Sequence, residues 1–433
     1  GAAFITVTLV AHRTLYEARP AASHLTEFYL WMSVGGVLGG IFAALLAPQI
    51  FPEVFEYPLL LALSFACRPG ALDVRRESPM ALSLLVLLVF AVAAAIYWGP
   101  ALAQRYYFDF NGWGTTAGIA AIIAAMALVF WRHPPHMLLI SMGLYLVVVL
   151  LPSGVHRGNA ERSYFGVYRV VQSWDGQFNV LQHGTTLHGA QRIRDERGNP
   201  VADVTPTTYY HPHGPMASAV RLTSVLAAQA RREPKFGVVG LGTGSMACHA
   251  SAGETWRFFE IDPVVVSIAN SKRFTYLANC QPDASIVLGD ARLTLAREAD
   301  ESYDLLIIDA FSSDAIPVHL MTSEALRLYA SKVKPDGAVV LHISNRYLDL
   351  EEILAATFPT LGLHALTIED QTEEDGYAVT SSTAVVFGKS LEAIDRFRII
   401  PGARELPKPR LRPWTDDFSD LVGPFLAQYR KRY

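Results

Sequence analysis

The residues best able to do chemistry are three acids and one glycine-rich turn, each placed directly after an apolar run. The run Phe236–Val239 ends in Gly240-Leu241-Gly242-Thr243-Gly244, and the run Trp256–Ile261 closes on Glu260 and Asp262. Glycines let the backbone pass close beneath a ligand, and an acid about 20 residues further on can accept both hydroxyls of a ribose. Asp290, followed by Ala291, and Asp309 end two later runs. Asp290 stands where an adenine amino group would be read, and Asp309 where reacting atoms would lie. An isolated acid of this kind is usually a solvated loop residue. Acids at three successive strand ends point to a nucleoside site.

Those residues need a scaffold that delivers strand ends to one edge. The pattern predicts strands at Ile286–Leu288, Tyr303–Ile308, Ala338–Ile343, His364–Ile368 and Thr383–Phe387. Helices are expected at Met216–Arg231, Pro263–Leu277, Ala291–Ala299, Thr322–Val333 and Leu350–Phe358. Such alternation builds a mostly parallel sheet covered on both faces, with ligands beyond the carboxyl ends of its strands. No helix is expected between the last two strands, which implies an antiparallel hairpin at the edge. Residues 162–211 read as short strands and turns, including Tyr164–Gln172 and Phe178–Gln182.

The chain has 433 residues, 51% hydrophobic and 18% charged, which is too apolar and too long for one soluble domain. Leu30–Leu46, Met80–Trp98, Thr116–Trp131 and Met137–Leu151 are uncharged apolar runs, with Trp31, Trp98, Trp113 and Trp131 near their ends. They imply a membrane part, and since Gly1 already lies inside an apolar run, residues 1–10 are expected to be the end of a helix. Pro58–Cys67 is too short to span alone, and the sidedness of the basic loops depends on whether it crosses. Gly35/Gly39 and Gly36/Gly40 form a helix-packing face. The net charge of −4 argues against a nucleic-acid partner. Cys67, Cys248 and Cys280 show no metal-ligand spacing and cannot all pair, a usage suited to a reducing compartment.

The runs GLGTGS, FEID, LGDA and YDLLIIDAFSSDAIP resemble the polyamine aminopropyltransferases, the spermidine synthase family. HLTEFYLWMSVGGVLGG, HISNRYLDLE and PWTDDFSDL further resemble bacterial membrane-bound, transporter-fused spermidine synthase-like proteins. The resemblance implies an α-helical transmembrane domain joined to an α/β domain. The latter would be a class I methyltransferase-like, Rossmann-like seven-stranded sheet with a small N-terminal β domain. Boundaries are expected at residues 1–152 (membrane), 153–215 (small β domain), 216–390 (sheet domain) and 391–433 (tail). The resemblance also implies transfer of an aminopropyl group from decarboxylated S-adenosylmethionine to an amine. Gly240, Gly242, Gly244, Glu260, Asp262, Asp290 and Ala291 would hold the donor. Asp309, with Tyr210 and Asp314, would be catalytic, and His211, Thr243 and Tyr377 would meet substrate.

Three departures from the family pattern bear on the donor. Thr243 stands where the family has the Asp that pairs with the ammonium of the donor's tail. Phe165 replaces a Gln that helps hold this tail, and Asp309 and Asp314 are five residues apart rather than three. An intact S-adenosylmethionine, and hence methyl transfer, is the alternative; a non-catalytic scaffold in a membrane complex is the third reading. Tyr209–Pro215 contains two histidines without a carboxylate or Cys in register, so no metal is expected. The expected partners are an amine substrate and the lipid bilayer, with a homo-oligomer or larger membrane assembly as a further option. The expected location is a bacterial inner membrane, with the soluble part facing the cytoplasm, where the donor is supplied.

Overall fold

The computed structural model describes residues 2–68, 70–73, 78, 80, 83–92, 128–150, 160–184, 186–311, 317–374 and 376–432. The chain divides into two compact units, residues 1–164 and 165–433.

In the first unit, the helical stretch Ala22–Ile50 is the one helix among the described residues long and apolar enough to cross a membrane. Trp31, Val34, Leu38 and Leu45 are exposed along it, and Gly35, Gly36, Gly39 and Gly40 have nothing close to where a Cβ would lie. Shorter apolar helices run over Glu56–Cys67, Ser83–Val92 and Pro134–Leu150. Most of the expected span Thr116–Trp131, with Trp98 and Trp113, lies outside the described residues. Arg162, in the short strand β1 (Ala160–Arg162), forms a two-point ion pair with the buried Glu56 at 2.6 and 2.9 Å. That bond holds Glu56 below its usual pKa.

The second unit is built on eight strands in the order β12-β10-β11-β9-β8-β5-β6-β7. They are β5 (Lys235–Val239), β6 (Thr255–Glu260), β7 (Ser285–Leu288), β8 (Tyr303–Ile308), β9 (Val333–His342), β10 (His364–Asp370), β11 (Ser382–Gly388) and β12 (Ala403–Arg404). The first five are parallel to one another; β11 inserts antiparallel between β9 and β10. This is the mixed, methyltransferase-like Rossmann arrangement. Successive residues alternate between two apolar layers: Val238, Leu305, Ile307 and Val340 on one face, Val239, Leu306, Ile308 and Leu341 on the other. Both faces are therefore covered by helices, as the unbroken apolar runs require.

The sheet has eight strands, not the seven expected. The extra strand, β12, is two residues long and pairs with Thr367 and Ile368, too short to leave a periodic signal. The helix expected over Pro263–Leu277 is two helices, Pro263–Ala269 and Tyr276–Cys280. Ser271 ends the first by donating to the Ile268 carbonyl and accepting the Arg273 N–H, an alternative to helical bonding that serine offers.

A smaller antiparallel set, β2 (Val167–Gln172), β3 (Phe178–His183) and β4 (Thr186–Arg192), packs beside the turn after β5. A Cβ at Gly189 of β4 would meet Thr243 Oγ1 at 2.7 Å. Cys248 and Cys280 are joined as a disulfide across 32 residues, so two of the three cysteines pair. It ties the 3-10 turn Ser245–His249 to the helix Tyr276–Cys280, a proximity that spacing alone does not reveal.

Candidate active site

Parallel register brings the chemistry to one edge. Val239 pairs with Phe259 on one side and Ile308 on the other, and Glu260 pairs with Leu288. The Gly240 N–H donates to the Phe259 carbonyl, Asp309 N–H to Val239, and Gly289 N–H to Glu260, all at 2.8–2.9 Å. Strand order reverses at β5, which has β6 on one side and β8 on the other. The crevice of such a sheet opens at this switch point. Gly240 has φ +92°, and a Cβ there would run into the Asp309 carbonyl, so only glycine lets the turn pass this close to β8.

A cavity of about 410 Å³ opens over these ends. Gly240, Leu241 and Gly242 form its floor, and Glu260, Asp290 with Ala291, and Asp309 with Tyr210 stand around it. Phe165, Tyr168, His183, His188, Phe311, Pro317 and His319 also line it.

Glu260 accepts the N–H of Leu241 and of Asp262, both at 2.9 Å. Burial raises its pKa, and those two backbone donors partly oppose the shift. A carboxylate has about four acceptor positions, so acceptor capacity remains for a ribose hydroxyl. Asp290 caps the helix Ala291–Ala296 through the Leu293 N–H at 3.1 Å and meets His319 Nε2 at 3.3 Å.

Asp309 is held by two side chains. The Tyr210 hydroxyl donates to its Oδ2 at 2.5 Å, and His342 Nδ1 lies 2.7 Å from its Oδ1. Tyr209 in turn donates to the Tyr210 oxygen at 3.2 Å. Burial first, then the Asp309 charge, raises both phenols well above their usual pKa, so both stay protonated and donating. His249 Nε2 bonds the Tyr210 carbonyl at 2.8 Å and fixes the start of this chain of contacts.

Not every expected residue reaches the cavity. Asp262 is fully buried and caps the helix Pro263–Ala269 through the Val264 N–H. Gly244 packs beneath Leu277. Thr243 is fully buried under Gly189, away from the cavity wall, with its Oγ1 unpaired. His211 is turned to Asp370 at 2.7 Å, and Tyr377 packs on Phe178 with ring centroids 6.1 Å apart. Asp314 lies outside the described residues. Sequence reasoning did not single out His183, His188, His319 or His342. Of these, His342 carried a signal, an imidazole directly after the buried apolar run 338–341. Among the described residues no group of three His, Cys, Asp or Glu could hold a metal ion.

No family model matches the chain. A 112-residue stretch is 34% identical to a polyamine aminopropyltransferase of Vibrio vulnificus, covering 24% of this chain and 35% of that protein. The chain thus spans about a third of the length of this curated relative. A solved structure titled a probable spermidine synthase, from Corynebacterium glutamicum, overlaps 61% of this chain and 98% of its own at 12% identity and a TM-score of 0.43. The spermidine synthase of Thermotoga maritima overlaps 60% and 86% at 15% identity and a TM-score of 0.33. The matched stretch of this chain is thus similar to a polyamine aminopropyltransferase.

Proposed function

We propose that this protein is a membrane-anchored aminopropyltransferase that uses decarboxylated S-adenosylmethionine and an amine. The observation that carries this reading is the union, in one open cavity, of a glycine floor, a ribose-type acid at Glu260 and a doubly hydrogen-bonded acid at Asp309. A primary amine has a pKa of about 10 and must lose a proton before it attacks. Asp309 orients the ammonium and takes that proton. The amine nitrogen then bonds to the carbon beside the sulfonium as the carbon–sulfur bond breaks, and methylthioadenosine leaves with the electron pair. Phe165, Tyr210 and Phe311 border the cavity rather than plug it, which counts against a pure scaffold.

One observation favours a second reading. Among the described lining residues the acids are Glu260, Asp290 and Asp309, none of them on the glycine turn, and Thr243 of that turn lies buried off the wall. An ammonium tail desolvated there without a carboxylate partner would cost several kcal/mol. Intact S-adenosylmethionine and methyl transfer are therefore the alternative. Incubation with each donor and a set of amines separates the two: methylthioadenosine marks aminopropyl transfer, S-adenosylhomocysteine methyl transfer. Asp309→Asn should lower amine turnover about 100-fold or more while sparing donor binding. Full turnover in that variant would remove Asp309 as the base.

Anchoring rests on the Ala22–Ile50 helix, and we place the site on the cytoplasmic side of a bacterial inner membrane, where adenosyl donors are made. The Cys248–Cys280 pair is the observation that pulls the other way, since disulfides persist in oxidising compartments.

A further inference from the structure

His342 is the last residue of β9, 5% exposed, and its strand lies beside β8, which ends next to Asp309. Its ring contacts Tyr209 at 4.8 Å and Phe311 at 4.9 Å between centroids. Both ring nitrogens have partners: Nδ1 meets Asp309 Oδ1 at 2.7 Å and Nε2 meets Ser344 Oγ at 2.8 Å. Ser344 Oγ also accepts the Thr383 N–H at 2.8 Å. A buried imidazole needs its nitrogens satisfied wherever it sits, and that alone would explain one bond. It does not explain why the other nitrogen is aimed at the acid of the cavity.

The pattern of donors selects one tautomer. An ionised carboxylate only accepts, so the nitrogen facing Asp309 must carry the proton. The Ser344 oxygen accepts from the Thr383 amide, and its own O–H is free to donate to Nε2, which matches that tautomer. Asp309 then receives two donors, Tyr210 at Oδ2 and His342 at Oδ1. Its plane is held, and its remaining acceptor positions are left for a third donor from the cavity.

We propose that His342, with its tautomer set by Ser344, is the positioning residue that holds Asp309 in the orientation needed to receive the amine's N–H. The proposal rests on the aminopropyltransferase reading for its kinetic consequence, though its geometry does not. His342→Leu should lower kcat by about 100-fold with KM changed less than about threefold, because orientation acts on the reacting complex more than on binding. Asparagine places an amide N–H near the position of Nδ1, so His342→Asn should recover about tenfold of that loss. A leucine variant with unchanged kcat, or an asparagine variant no better than leucine at an unchanged melting temperature, overturns the proposal.

Nitrogen-15 spectra of histidine-labelled full-length protein give a readout that needs no turnover. His342, identified by its loss in His342→Asn, should carry its proton on Nδ1, and Ser344→Ala should shift it toward a tautomer mixture. A proton on Nε2, or no change in Ser344→Ala, contradicts the assignment. If the wild-type protein consumes neither donor, the proposed reaction fails while the spectra still decide the His342 tautomer.

Discussion

Glu260 at the tip of β6 accepts the Leu241 N–H at 2.9 Å, so the ribose-type acid also clamps the glycine turn of the neighbouring strand. In the proposed site, ligand recognition and turn geometry would therefore share one carboxylate. Its second oxygen takes the Asp262 N–H, which anchors the start of the next helix.

From this follows a dependence on pH. Glu260 is raised above its usual pKa, chiefly by burial. Binding that needs the ionised form should be lost as pH falls through that raised value, above the ordinary carboxylate range near 4.5. The sign for the free protein is opposite: a raised carboxyl binds its proton more readily when folded, so at this group acidification adds stability. Glu260→Gln should weaken binding of methylthioadenosine by about 100-fold and remove that acidic limb. Calorimetry that finds the same limb in the variant would assign it elsewhere.

His249 sets a second pH effect with the reverse sign. Burial lowers its pKa to about 4, only partly offset by its bond to the Tyr210 carbonyl. The unfolded chain therefore takes this proton first, beginning near pH 6.5, and stability falls from there down to about pH 4. The full loss from this group is about 3 kcal/mol. His249→Gln keeps an N–H for the Tyr210 carbonyl but does not titrate. Denaturation curves from pH 7 to 4 should show a shallower loss for the variant, and parallel curves would refute the effect.

The Cys248–Cys280 disulfide makes a prediction about both stability and sidedness. Closing a loop with 32 residues of separation restricts the unfolded chain by about 4 kcal/mol. Reduction, or the double change to serine, should lower the melting temperature measurably. Mass mapping of protein alkylated in intact cells should find both thiols free if the site faces the cytoplasm. A fully oxidised pair would move the second unit to the other side of the membrane.

Local pattern was enough for much of this architecture. The apolar runs ending at Val239, Glu260 and Ile308 are strands because both their faces are buried, and such runs are continuous in sequence. The glycine turn and the acids Glu260, Asp290 and Asp309 were legible for the same reason: parallel strands deliver their carboxyl ends to one edge whatever the loops between them do. β12 was not legible, since two residues have no period, and neither was the break near Ser271, where one hydroxyl competes with helical bonding.

Only the tertiary structure decided which side chains meet. Asp309 and His342 are 33 residues apart and belong to neighbouring strands, so their bond depends on strand order and register, which no spacing rule contains. Cys248 and Cys280 pair because two helical turns pack after the chain has folded. Thr243 is withdrawn from the cavity by the approach of Gly189 on a separate sheet, a matter of steric access invisible to residue type. Residue types and strand ends are local properties that the chain carries in its sequence. Contacts between distant side chains exist only once the sheet has brought them within a few ångströms.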